Sequence, residues 1–257
     1  MASRAPVERH DGQAAFVLHT YAYRETSLIV EAFTAEHGRV AMVARGARRP
    51  RSETRGLLQA FQPLTLSWAG AGELKTLMKA EWGGGMPLPR GAALLCGFYL
   101  NELLLKLLAR EDPHPALYRD YQDALAALGA TSTSATQGAV LRRFELRLLA
   151  ELGYALPLTH DADSGTEVDP AARYHYDFGR GPRAAATIAR EPGKRYPRIR
   201  GATLLGLAAN AYPDAETAAE ARLLMREVLD HYLEERRIFS RRVVQDLQAI
   251  DEESESP

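Results

Sequence analysis

The chain has 257 residues, 46% of them hydrophobic and 25% charged, and a formal net charge of −1; these are the proportions of a folded globular protein, which excludes disorder over most of its length. Its single cysteine, Cys96, cannot form an internal disulfide or a cysteine-rich metal cage, so a reducing, cytoplasmic setting is expected. The opening MASRAPVERHDG lacks the apolar core of a signal peptide, and Asn101, Glu102 and Lys106 interrupt the longest apolar run, so neither export nor membrane insertion is expected.

From Ala14 to Trp82 the pattern is of short β-rich runs parted by turn residues: AFVLHTYAY, SLIVEAFT, RVAMVARG, LTLSWAG and ELKTLMKAEW. Five strands with one long connection, GARRPRSETRGLLQAFQP, predict a small barrel over residues 1–82. After GGGMPLPRG the period becomes helical in AALLCGFYLNELLLKLLAR, PALYRDYQDALAALG and GAVLRRFELRLLAELG, which predicts a separate helical domain over 83–250. Residues 157–197, rich in Gly, Pro, Asp and Arg, read as an irregular insertion with weak β character around ARYHYDFG. Helices resume in GATLLGLAANAY and DAETAAEARLLMREVLDHYLEERR, Asp214 serving as N-cap of the latter, and DEESES within 251–257 reads as a disordered acidic tail. The fold class is therefore α+β.

The near-zero net charge conceals a division. Residues 1–80 carry 11 Lys and Arg against 7 Asp and Glu, the remainder 21 against 26. Arg39, Arg45, Arg48, Arg49, Arg51 and Arg55 are opposed only by Glu53, and a guanidinium both pairs with phosphate and stacks on bases. This run points to nucleic-acid contact, with a solvated loop as the bland alternative. A second basic stretch, Arg180 to Arg200, is open between a further DNA contact and a solvated insertion; a third comprises Arg236, Arg237, Arg241 and Arg242. Tyr21, Tyr23, Phe33, Phe61 and Trp68 lie in the β region, where each is expected to fill the barrel rather than offer a stacking platform.

Other motifs carry less. In GAGELKT, Gly70 to Thr76, Leu74 stands where a phosphate loop needs glycine before its lysine, so a turn entering a strand is expected. His160, Asp161 and Asp163 are candidate ligands for a divalent ion, but no second ligand cluster accompanies them. No nucleophile with a base partner can be picked out, and neither a catalytic residue, a metal site nor a cofactor is expected. A metal-dependent nuclease using these three residues, and a small-barrel RNA-binding or ribosome-associated module, stand as alternatives.

Taken together, AFVLHTYAYRETSLIVEAFTAEHGRVAMVARGARRPRS, GELKTL, FYLNELLLKLL, LRRFELRLLAELGY and a late SRRV resemble the RecO family of bacterial recombination mediators across roughly residues 12 to 247. The resemblance implies an N-terminal OB-fold, a C-terminal helical domain, and binding and annealing of single-stranded DNA; whether double-stranded DNA is also a ligand is left open by the sequence. It also implies help in loading RecA onto strands coated by single-stranded DNA-binding protein (SSB), with RecR as partner, in the nucleoid. By position, the family's basic OB surface falls on Arg39, Arg45, Arg48, Arg49 and Arg51. LRRFEL places Arg142 and Arg143 where relatives hold the acidic, Phe-ending tail of SSB, unless one of them caps or crosses helices instead. Many members carry a four-cysteine zinc site after the LGY motif; LGYALPLTHDADSGTEVDPAARYHY has no cysteine, so this segment is expected to hold itself by packing.

Overall fold

The computed structural model describes residues 8–131, 133–184, 196–233, 238 and 240. They form two compact units that part between Ala130 and Thr131, with Ile238 and Ser240 grouped with the first.

In the first unit, β1 (Arg9–Tyr23), β2 (Ser27–Thr34), β3 (Gly38–Ala44), β4 (Pro63–Ala69) and β5 (Leu74–Trp82) close a barrel in the order β1-β2-β3-β5-β4. A short helix, α1 (Glu53–Leu57), lies in the long connection before β4. β3 and β5 run parallel and the other neighbours antiparallel, which is the OB arrangement of a small Greek-key barrel. β1 begins earlier than the apolar run suggests because it serves two neighbours: Ala15–Tyr23 pair with β2, and Arg9–Phe16 with β4. Alternate residues point inward, and Val17, Val30, Ala32, Val40, Met42, Leu64, Leu66 and Trp68 make a dry interior. The β2–β3 turn requires glycine: Gly38 has φ +63°, and a Cβ there would lie 1.9 Å from the Asp112 carbonyl oxygen.

Helices α2 (Ala92–Leu107) and α3 (Pro115–Ala130) belong to this unit. They cover an outer patch of β1 and β2, where Phe16 and Phe33 meet Tyr118 and Tyr121 at centroid distances of 5.3–6.1 Å. Buried Asn101 fixes the contact, donating to the Leu18 carbonyl at 2.9 Å and accepting from the Tyr121 hydroxyl at 2.5 Å. Packing therefore divides the chain after Ala130, whereas the change of hydrophobic period falls at 82/83, because the barrel leaves Phe16, Leu18 and Phe33 apolar on the outside and two helices are needed to bury them.

The second unit contains α4 (Ser134–Glu151), β6 (Arg173–Asp177), β7 (Gly181–Ala184), β8 (Arg198–Arg200), α5 (Gly201–Ala209) and α6 (Ala215–Leu233). The segment expected to be irregular holds an antiparallel sheet ordered β7-β6-β8. Tyr174, Tyr176 and Ile199 are buried from it while Arg173 and Arg198 face out, a period-2 pattern carried by strands too short to stand out in sequence. In place of cysteines, buried Asp161 ties the segment together. Its Oδ1 accepts from the N–H groups of Asp163 and Ser164 and the Ser164 hydroxyl, and its Oδ2 accepts from the Ala184 N–H at 2.7 Å. Asp214 caps α6, accepting from the Thr217 N–H at 2.6 Å. Arg190, Lys194, Arg195, Arg236, Arg237, Arg241, Arg242 and the acidic tail 251–257 lie outside the described residues.

Candidate nucleic-acid interface

The arginine run does not act as one group. Arg39, on β3, faces Glu31 of β2, a carboxylate whose residue is only 3% exposed; Arg39 Nη1 lies 3.3 Å from Glu31 Oε2, and Arg110 pairs with Glu31 Oε1. This cation is held in a largely buried cluster, which withdraws it from the surface assigned to it by sequence. Arg45, Arg48, Arg49, Arg51 and Arg55 are exposed, and none of them has a carboxylate partner among the described residues. They follow β3 and run through α1, at one end of the barrel. Arg48 is oriented by the β1–β2 turn: its N–H donates to Thr26 O at 2.8 Å, and its Nη1 donates to Arg24 O at 3.2 Å and Glu25 O at 3.3 Å.

Beside them lies an outward row that crosses four strands, Tyr21–Ile29–Val43–Thr76, since direct cross-strand partners share a face. Tyr21 is 47% exposed, and His19 meets it edge-on at a centroid distance of 4.4 Å. Arg24, in the turn, stands over Tyr23 at 5.2 Å, a cation–π arrangement. Of the five β-region aromatics expected to fill the barrel, Trp68 does so; Phe33 and Phe61 are buried outside it, against Tyr118 and Tyr121 and against Phe98, whereas Tyr21 and Tyr23 are not buried. A bulge between Val17 and His19 resets the alternation of β1, so that Thr20 lines the barrel mouth and Tyr21 turns outward. Arg24 was missed by sequence reasoning; its signal is an arginine directly following an outward tyrosine at a hairpin turn.

The remaining candidates lie elsewhere. Lys75, from the rejected phosphate-loop motif, is buried in β5 and pairs with Glu111 at 2.9 Å. His160, Asp161 and Asp163 do not converge as ligands. The Asp161 oxygens are occupied as described, Asp163 binds Arg180 at 3.1 Å and Arg183 at 2.7 Å, and His160 Nδ1 bonds the Thr159 hydroxyl. Burial pushes the Asp161 carboxyl up, but the N–H groups of Ser164, Asp163 and Ala184 outweigh it and hold the group below its ordinary value.

On α4, Arg142 and Arg143 separate. Arg142 is buried, with its Nε donating to Glu145 Oε2 at 2.6 Å and its Nη2 pairing with Glu145 Oε1; Glu145 is 0% exposed. The neighbouring Tyr212 hydroxyl is pushed up to about 12, chiefly by burial. Arg142 is thus engaged by Glu145 of its own helix, and Arg143, one residue on, is exposed.

A five-stranded OB barrel whose exposed arginines have no carboxylate partner among the described residues, followed by a helical unit, defines a protein of the OB-fold class. The family described as Recombination protein O N terminal matches residues 12–85, and Recombination protein O C terminal matches residues 89–242. The chain is 50% identical over 243 residues to the DNA repair protein RecO of Aromatoleum aromaticum, covering 95% of this chain and 98% of that protein. It is 50% identical over 240 residues to DNA repair protein RecO of an Azoarcus species, covering 93% and 97%, and 49% identical over 243 residues to that of Nitrosospira multiformis, covering 95% and 98%. The chain belongs to the RecO family of DNA repair and recombination proteins. Among the described residues, no helix is long and apolar enough to cross a membrane.

Proposed function

We propose that this protein binds single-stranded DNA across the barrel surface, anneals complementary strands and, with RecR, helps load RecA onto SSB-coated DNA. The reading is carried by one observation: five exposed arginines without carboxylate partners among the described residues, set beside the outward Tyr21 and Tyr23. Arginines paired with phosphates supply affinity without sequence preference, and aromatic faces accept any base. Arg39 is left out of this surface. Annealing requires neither a nucleophile nor hydrolysis, because base pairing supplies the driving force; the protein's part is to screen two backbones and raise their effective concentration. It therefore works as a non-catalytic mediator among the DNA of the cytoplasm, on single strands first and on duplex as a further ligand. The SSB tail, an acidic peptide ending in a carboxylate, is held by the helical unit, with Arg143, the exposed member of the Arg142–Arg143 pair, as its cation.

The test is the annealing rate of complementary strands coated with SSB, without nucleotide, against the same strands coated with SSB lacking its last residues. Acceleration that vanishes with the truncated SSB is expected. Binding of bare strands without any annealing of coated ones would overturn the mediator role.

A further inference from the structure

At the end of the barrel that carries the arginines, a cavity of about 400 Å³ is lined by Thr20, Leu28, Leu58, Arg48 and Arg55. Leu28 and Leu58 are the edge of the barrel core, while Arg48 and Arg55 are exposed. Two leucines at the base of an open cleft are therefore combined with two exposed cations at its rim. One of the cations is preorganised, since Arg48 Nη1 is occupied by two carbonyls of the β1–β2 turn, leaving Nε and Nη2 for a ligand. The Thr20 hydroxyl adds one group that both donates and accepts.

We propose that this mouth is a nucleotide pocket. It takes one unstacked nucleotide of the bound strand, its base on Leu28 and Leu58 and its phosphate between Arg48 and Arg55. The chemistry favours a nucleotide over an acidic peptide because the same end of the barrel continues outward into Arg45, Arg49 and Arg51 and the Tyr21–Tyr23 face, so a polyanion entering the mouth has phosphate partners on leaving it. Apolar floor contacts discriminate poorly among bases, so the pocket holds whichever nucleotide reaches it. The proposal rests on the single-strand reading above and adds to it a discrete unstacking step, which opens a base to a complementary strand.

The experiment uses the full chain and a single-stranded oligonucleotide carrying 2-aminopurine, whose emission rises when it leaves a base stack. With the wild-type protein at saturation, emission is expected to rise several-fold. Thr20→Tyr, which fills the mouth without changing charge, is expected to abolish the rise at saturation and, by keeping the phosphate from Arg48 and Arg55, to weaken binding and flatten its salt dependence. Arg55→Met, at an exposed site where misfolding is not a concern, is expected to lower the rise, whereas Arg51→Met, outside the mouth, is expected to weaken binding with the rise at saturation intact. Equal emission in wild type, Thr20→Tyr and Arg55→Met, or no rise in the wild type, would overturn the pocket while leaving the surface reading in place. No binding by any of the proteins would overturn both.

Discussion

Replacing Arg49 and Arg51 together by alanine tests the barrel surface most directly, because both are exposed and neither holds the fold. Each phosphate neutralised on a single strand contributes about 0.7 to the slope of log affinity against log salt. Five arginines, Arg45, Arg48, Arg49, Arg51 and Arg55, each engaging one phosphate, give a slope of about −3.5 and a loss of about 100-fold in affinity between about 50 and about 200 mM salt. Without Arg49 and Arg51 the slope becomes about −2 and the loss about 20-fold. Fluorescence anisotropy of a labelled oligonucleotide across a salt series reads both numbers. Arg48 is kept intact because its guanidinium also holds the carbonyls of Arg24 and Glu25, so its loss would mix binding with turn geometry. Arg39→Ala is the internal control: with its cation held on Glu31, it is expected to leave the slope unchanged. A double variant with the wild-type slope, or an Arg39→Ala slope reduced as far as that of the double variant, would refute the assignment of these arginines.

Asn101→Ala leaves both the Leu18 carbonyl and the Tyr121 hydroxyl short of a partner in a buried site, and about 3 kcal/mol of stability should be lost in urea denaturation. Arg142→Ala breaks the buried pair with Glu145 and should cost about 3 kcal/mol; Arg143→Ala should leave stability within about 0.5 kcal/mol but weaken capture of the SSB tail peptide in a pull-down titration. The Asp161 carboxyl, held below its ordinary value in the fold, contributes stability that is complete above the unfolded value of about 4 and is lost as pH falls through the folded one. The denaturation midpoint of the wild type should therefore drop more on acidification than that of Asp161→Asn, and parallel profiles would refute this linkage.

The barrel was legible because its core alternates: SLIVEAFT and RVAMVA set Val30, Ala32, Val40 and Met42 inward, and the turns EHG and GAGE sit where strand ends require them. The outward tyrosines were not legible, since a single extra residue in β1 reverses the parity of everything after it and nothing in AFVLHTYAY marks the bulge. Arg39 was misread for a related reason. Its partner Glu31 is eight residues away and meets it only through the β2–β3 register, and the second cation on that carboxylate, Arg110, comes from beyond α2. The Arg142–Glu145 pair, by contrast, lies at the i,i+3 spacing that brings helix side chains together, so LRRFEL carried its signal, although the pair neither caps nor crosses helices but stays within α4. The sheet β7-β6-β8 was hidden by strands of three to five residues, shorter than the window in which alternation becomes visible.

The barrel closes unevenly. β1 and β2 are in register over most of their paired length, whereas β3 and β5 meet only at Ala41–Leu74, Met42–Lys75 and Val43–Thr76. A seam of three residues has the least backbone bonding to lose, and it should be the first part of the barrel to exchange amide hydrogen with solvent, at a free energy well below that of global unfolding. When it parts, the meander β1-β2-β3 and the hairpin β4-β5 stay joined along β1–β4, so the molecule gapes without coming apart. Lys75, in the middle of the seam, pairs with Glu111 at 2.9 Å, and the Glu111 N–H donates to the Arg39 carbonyl of β3, so this pair spans the two edges and its removal is expected to speed that exchange.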